Sequence, residues 1–179
     1  VIGVLVSGEG SNLQALLDNG LPVVAVASSN PTAWALTRAQ QASVPTASFA
    51  LPDFASRDAR DVAMADWLQE RDVRIVACAG FMELLTPTFL SRFPGRIVNI
   101  HPSLLPAFPG AHAIEDALAA GATETGVSVH WVDEGVDTGP VIAQERVGIV
   151  TGDSTATLRE RLHDVEHRLY PEVLRELIE

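Results

Sequence analysis

Over its first hundred residues the chain alternates apolar runs of strand length with helical patterns, and no other feature narrows the fold as much. The runs are VIGVLV (1–6), PVVAVAS (22–28), PTASFA (45–50), RIVACAG (74–80) and RIVNI (96–100). Between them, SNLQALLDNG (11–20), PTAWALTRAQQA (31–42), SRDARDVAMADWLQER (56–71) and TPTFLSRF (86–93) read as helices. In the first helix Leu13, Leu16 and Leu17 recur at i, i+3 and i+4, with Ser11 as the expected cap and Gly20 as the stop. In the third, Val62, Ala65 and Leu68 are expected to share a face, and Ser56 to start the helix. Strands this apolar bury both faces, so the pattern predicts βαβ units, a parallel sheet and right-handed crossovers.

After residue 120 the pattern changes. TGVSVHWVD (125–133) alternates at period 2, with Val127, Val129 and Trp131 on one side and Ser128, His130 and Val132 on the other. VIAQERVGI (141–149) follows a DTGP turn, which predicts two adjacent, antiparallel strands at one edge. STATLRERLHDVEHRLYPEVLRELIE closes the chain as a long helix, with Leu158, Leu162, Val165 and Leu169 as its stripe and Pro171 as an expected kink. No repeat, low-complexity tract or linker interrupts the 179 residues, so one domain over 1–179 is expected. The missing initial Met and the end at LRELIE suggest that one or both ends are incomplete.

The formal net charge of -11 argues against a nucleic-acid groove or an anionic membrane surface as partner. A local cationic pocket for a phosphate is compatible with it. No apolar run approaches the roughly 18 residues of a membrane span, and no basic segment precedes the first strand as in a signal peptide. The lone Cys78 excludes an internal disulfide and fits a reducing compartment.

Ligands in an open α/β sheet bind beyond the carboxyl ends of the strands. Three segments are expected there. SGEGSNLQ (7–14) joins the first strand to the first helix, and the N–H groups of Gly10, Ser11 and Asn12 would face an anion. A plain strand-to-helix turn with a serine cap reads equally well. GFMELL (80–85) offers an apolar wall for a flat aromatic ligand, or core packing beneath a loop. IVNIHPSLLPAFPG (97–110) ends a buried strand in Asn99 and His101, which lie on one side of an extended chain. If Asp137 in VDEGVDTGP (132–140) reaches His101, it favours the charged ring, and Asn99 with His101 makes two donors for an oxyanion. A structural histidine and a turn aspartate are the alternative. The other histidines, including His130 and the His163/His167 pair, form no metal spacing with Cys78, so no metal is expected.

Taken together, SGEGSNLQ, AGFMELL, NIHPSLLPAFPG, GVSVHWVDEGVDTGPVI and EHRLYP resemble the phosphoribosylglycinamide (glycinamide ribonucleotide) formyltransferases over essentially the whole chain. SLLP alone also suits methionyl-tRNA formyltransferase or formyltetrahydrofolate deformylase. GSNLQ weighs against the first, and the lack of an N-terminal regulatory segment against the second.

The resemblance implies a three-layer, Rossmann-like α/β fold with seven strands in order 3-2-1-4-5-6-7, the sixth antiparallel. It also implies transfer of a formyl group from 10-formyltetrahydrofolate to a ribonucleotide amine in purine synthesis, in the cytoplasm and without metal. By position, Asn99, His101 and Asp137 match the catalytic trio. Gly10, Ser11, Asn12 and Glu166 match the ribonucleotide contacts, while Arg57, Met82, Glu83, Leu84, Leu85 and Asn99 match the formylfolate contacts. Glu83 departs from the family, which commonly has arginine there. The implied partners are the two small-molecule substrates, with neither nucleic acid nor membrane, and a homodimer is compatible. A deformylase, and a phosphate- or folate-binding module without catalysis, are the alternatives.

Overall fold

The computed structural model describes residues 1–179. Seven strands form one sheet: β1 (Ile2–Val6), β2 (Val23–Ser28), β3 (Thr46–Ser48), β4 (Ile75–Cys78), β5 (Ile97–His101), β6 (Glu124–Trp131) and β7 (Val141–Gly148). Their order is β3-β2-β1-β4-β5-β6-β7. Pairs among the first five are parallel, and β6 runs antiparallel to both neighbours. The topology is the one the resemblance implied.

Helices cover both faces. Along β1, Ile2, Val4 and Val6 point into a core formed with α1 (Ser11–Asp18), α2 (Trp34–Gln41), α5 (Ala113–Ala119) and α6 (Thr155–Ile178). Leu5 points the other way, toward α3 (Arg57–Gln69) and α4 (Pro87–Arg92). The period of two along a strand therefore feeds two separate hydrophobic layers, and the sheet is the middle of three. Tyr170 of α6 is fully buried, and its hydroxyl lies 2.8 Å from the Cys78 carbonyl and 3.2 Å from that of Val98. It ties the last helix to the carboxyl end of β4 and to the first half of β5, beside the strand ends where the site opens.

Local expectations differ from the structure in three places. Gly10, in the left-handed region at φ 80°, occupies the cap position of α1, and Ser11 is the first helical residue. No side chain caps this helix, so its first N–H groups are left to other acceptors. The buried stripe of α3 is Asp61, Met64, Ala65 and Leu68, with Arg60 beside it; Val62 is only half-buried. Two charged residues take the face expected for valine because they partner each other and the loop that follows β4. Finally, α5 carried no helical signal, because its core contacts are Ala113, Ile114 and Ala117 and alanines give little contrast. Ser56 does cap α3, accepting from the Ala59 N–H at 3.0 Å.

Candidate active site

A cavity of about 430 Å³ opens beyond the carboxyl ends of β4 and β5. Its walls come from three segments far apart in sequence: residues 80–85, Asn99 to Pro102 with Gly110, and residues 130–137. Asn99, His101, Asp137, Met82, Glu83, Leu84 and Leu85 all line it. Arg57 lies in an adjoining depression that shares the Met82–Leu85 loop. Gly10, Ser11, Asn12 and Glu166 are outside both, around the start of α1. Ser7 links the two regions, because its hydroxyl accepts from the Met82 N–H at 2.9 Å.

The polar centre is a carboxylate between two histidines. Asp137 Oδ2 is 3.5 Å from His101 Nδ1, and Asp137 Oδ1 is 3.6 Å from His130 Nε2. The Gly110 N–H donates to Asp137 Oδ2 at 2.8 Å. His130, which can donate from Nε2 when its ring is charged, holds the Asp137 carboxyl below the usual carboxylate range, with smaller help from the Gly110 N–H and the charge of His101. Asp137 adopts φ 54°, a left-handed conformation that is costly for a residue with a side chain. The loop holds the carboxylate in place against that cost.

Both histidines have defined proton positions. His101 Nε2 is 2.8 Å from the Phe108 carbonyl, which can only accept, so this nitrogen carries hydrogen. His130 Nδ1 likewise donates to the Trp131 carbonyl at 2.9 Å. Nε2 then has a hydrogen for Asp137 only in the charged ring; in the neutral ring it is an acceptor, and the Asn99 amide nitrogen lies 3.3 Å from it. That bond orients the Asn99 amide and leaves its second N–H free.

The segment that carries His101 is held from below by Ser128. Its hydroxyl donates to the Ser103 carbonyl at 2.7 Å and accepts from the Leu105 N–H at 3.1 Å. Gln144 adds a bond to the Leu105 carbonyl at 2.8 Å.

His130 is the residue that sequence reasoning missed. Its spacing from Cys78 and the other histidines points to no metal, but the register of β5 against β6 pairs Asn99 directly with His130. Two polar residues facing each other across buried strands were the available signal.

Around α1, Asn12 Nδ2 donates to Glu166 Oε2 at 3.2 Å. Burial pushes the Glu166 carboxyl up to about 7, against the smaller opposing effect of Asn12. Gly10 is required here twice over: its φ is positive, and a Cβ would lie 2.6 Å from the Ala35 Cβ.

The raised value of Glu166 predicts a direction for stability. The folded state holds a proton that the unfolded chain releases near the ordinary value of 4.5, so stability falls as pH rises from there through about 7. Glu166→Gln removes this dependence. Chemical denaturation should find the variant equal to the parent near pH 4 and up to about 3 kcal/mol more stable at pH 8. A gap independent of pH would refute the assignment of the burial cost to Glu166.

The family described as Formyl transferase matches residues 1–174. Phosphoribosylglycinamide formyltransferase of Mycobacterium tuberculosis is 48% identical over 171 residues, covering 93% of this chain and 79% of that protein. The trifunctional purine biosynthetic protein adenosine-3 of Chironomus tentans is 44% identical over 97% of this chain, which spans only 13% of that longer protein. The crystal structure of phosphoribosylglycinamide formyltransferase from Streptococcus pneumoniae TIGR4 superposes with a TM-score of 0.96 at 46% identity, covering 99% of this chain and 98% of that one. Identity at this level across nearly the whole fold, with the same sheet order, leads to one conclusion: the chain belongs to the formyltransferase family, among the phosphoribosylglycinamide formyltransferases.

Proposed function

We propose that this chain, acting as one domain over 1–179, moves the formyl group of 10-formyltetrahydrofolate onto the glycyl amine of 5'-phosphoribosylglycinamide. The observation that carries the reading is the Asp137 carboxylate set between His101 and His130, with Asn99 beside them at the floor of the cavity. The apolar strap Phe81, Met82, Leu84 and Leu85 suits the flat pterin ring, and Arg57 at the rim suits a carboxylate of the tail. Gly10, Ser11 and Asn12 suit the phosphate, and Glu166 a hydroxyl-bearing part of the same substrate.

Attack of the amine on the formyl carbon makes a tetrahedral oxyanion and a protonated nitrogen. Asn99 donates its free N–H to the oxyanion, and a charged His101 stabilises it electrostatically. His101 Nε2 first gives up the Phe108 carbonyl if it is to donate directly, so that bond is the resting partner of the reactive hydrogen. Asp137 supports the charge on His101 and accepts or relays the proton lost by the amine. His130 acts through the other two, fixing the Asn99 amide and facing Asp137. Collapse of the intermediate breaks its bond to N10 as that nitrogen is protonated, leaving tetrahydrofolate and the formylated amine.

Turnover measured with formylfolate, with and without the ribonucleotide, tests the reading. Tetrahydrofolate should form only when the amine is present. Release of formate without it would replace the proposal by a deformylase, and binding of both compounds without turnover by a non-catalytic module.

A further inference from the structure

The surroundings of the Met82–Leu85 loop are short of positive charge. The chain has twelve arginines and no lysine, and no arginine lines the main cavity, whose walls carry Glu83, Asp133, Glu134 and Asp137; its two histidines, His101 and His130, both face Asp137. Arg57 is the single cation of the adjoining depression, and one of its N–H groups already donates to the Leu84 carbonyl at 3.3 Å. Arg60, one turn further along α3, is fully buried, turned inward over the Phe81 ring at 5.9 Å from its centroid.

Arg60 has two counter-charges. Its Nε donates to Asp61 Oδ1 at 2.7 Å, and its Nη1 lies against the Glu83 carboxylate. Asp61 is itself held by Thr86, whose N–H and hydroxyl donate to Oδ2 at 2.9 and 2.8 Å. One buried cation thus faces two carboxylates, and the cluster keeps a net negative charge. Glu83, partly exposed and lining both cavity and depression, presents that charge to whatever crosses the loop.

We infer that Glu83 makes this site indifferent to the length of the γ-glutamyl tail of its formylfolate, an inference that rests on the donor assigned above. Each added glutamate brings one more carboxylate. Beyond the first, which Arg57 can meet, the added charges find Glu83, Asp133 and Glu134 rather than cations. Attraction between exposed charges extends only about 8 Å at physiological salt, so arginines elsewhere on the surface do not compensate.

The test compares 10-formyltetrahydrofolate carrying one glutamate with the pentaglutamate, at low and at physiological salt. At physiological salt the two KM values should agree within about threefold, and at low salt the pentaglutamate should gain no advantage. A pentaglutamate KM lower by about tenfold or more would overturn the inference. The paired change Arg60→Met with Glu83→Arg puts the cation on the loop and keeps Asp61 compensated, as replacing Arg60 alone does not. It should create a pentaglutamate preference of about tenfold at low salt that shrinks as salt rises.

Because the ratio is read within each protein, a loss of activity common to both donors cancels. An active double variant without tail preference would also overturn the inference. If that protein does not fold, Glu83→Gln should shift the ratio in the same direction by about two- to threefold, and no shift counts against it. Failure of the wild type to use even the monoglutamate would sink the donor assignment itself, a result distinct from a strong tail preference.

Discussion

His101→Ala is expected to lower kcat by about a thousandfold while leaving KM for both substrates within a few-fold. The ring is buried, its Nε2 bonds the Phe108 carbonyl, and its Nδ1 faces Asp137; in the proposed mechanism its contribution comes when charge develops on the formyl oxygen. An interaction made mainly in the transition state changes kcat and not ground-state binding. Steady-state kinetics on a variant with normal circular dichroism and thermal unfolding checks this. Near-normal turnover would remove His101 from the chemistry.

Asp137→Asn should cost about a hundredfold or more in kcat. The substitution keeps the shape and an oxygen for the Gly110 N–H, but it removes the negative charge shared by His101 and His130. It also sets an amide donor against one of the two rings. Stability carries a second signature with a defined sign. The carboxyl sits below its ordinary value, so its contribution is present above the unfolded value of about 3.9 and is lost as pH falls through the lower folded one. The variant should therefore be less stable than the parent near neutral pH, with the gap closing in acid below about pH 4. Denaturant unfolding at a series of pH values measures it. A gap that stays constant into acid would mean that the loss is one of packing and not of charge.

Much of the fold was legible because parallel strands and the helices that cover them carry strong periodic signals. The runs at β1, β2, β4 and β5 are buried on both faces, and Leu13 with Leu16 marks the inner side of α1. The change after residue 120 was visible as a switch to period 2, which anticipated the antiparallel β6 and β7. Short or alanine-rich elements were legible only in part. β3 shrinks to three residues, and α5 was missed altogether.

Asn99, His101 and Asp137 were identified from residue type and from family resemblance, and they do converge. Sequence by itself determined which strands enter the core and which loops emerge at their carboxyl ends, because both follow from local periodicity and turn chemistry. It could not decide which partners those loops acquire. The cross-strand pairing of Asn99 with His130, the commitment of His101 Nε2 to Phe108, and the inward turn of Arg60 toward Asp61 and Glu83 join residues whose spacing along the chain carries no period. Such contacts depend on strand register and on how a buried charge finds its counter-charge. Both are settled only when the layers pack.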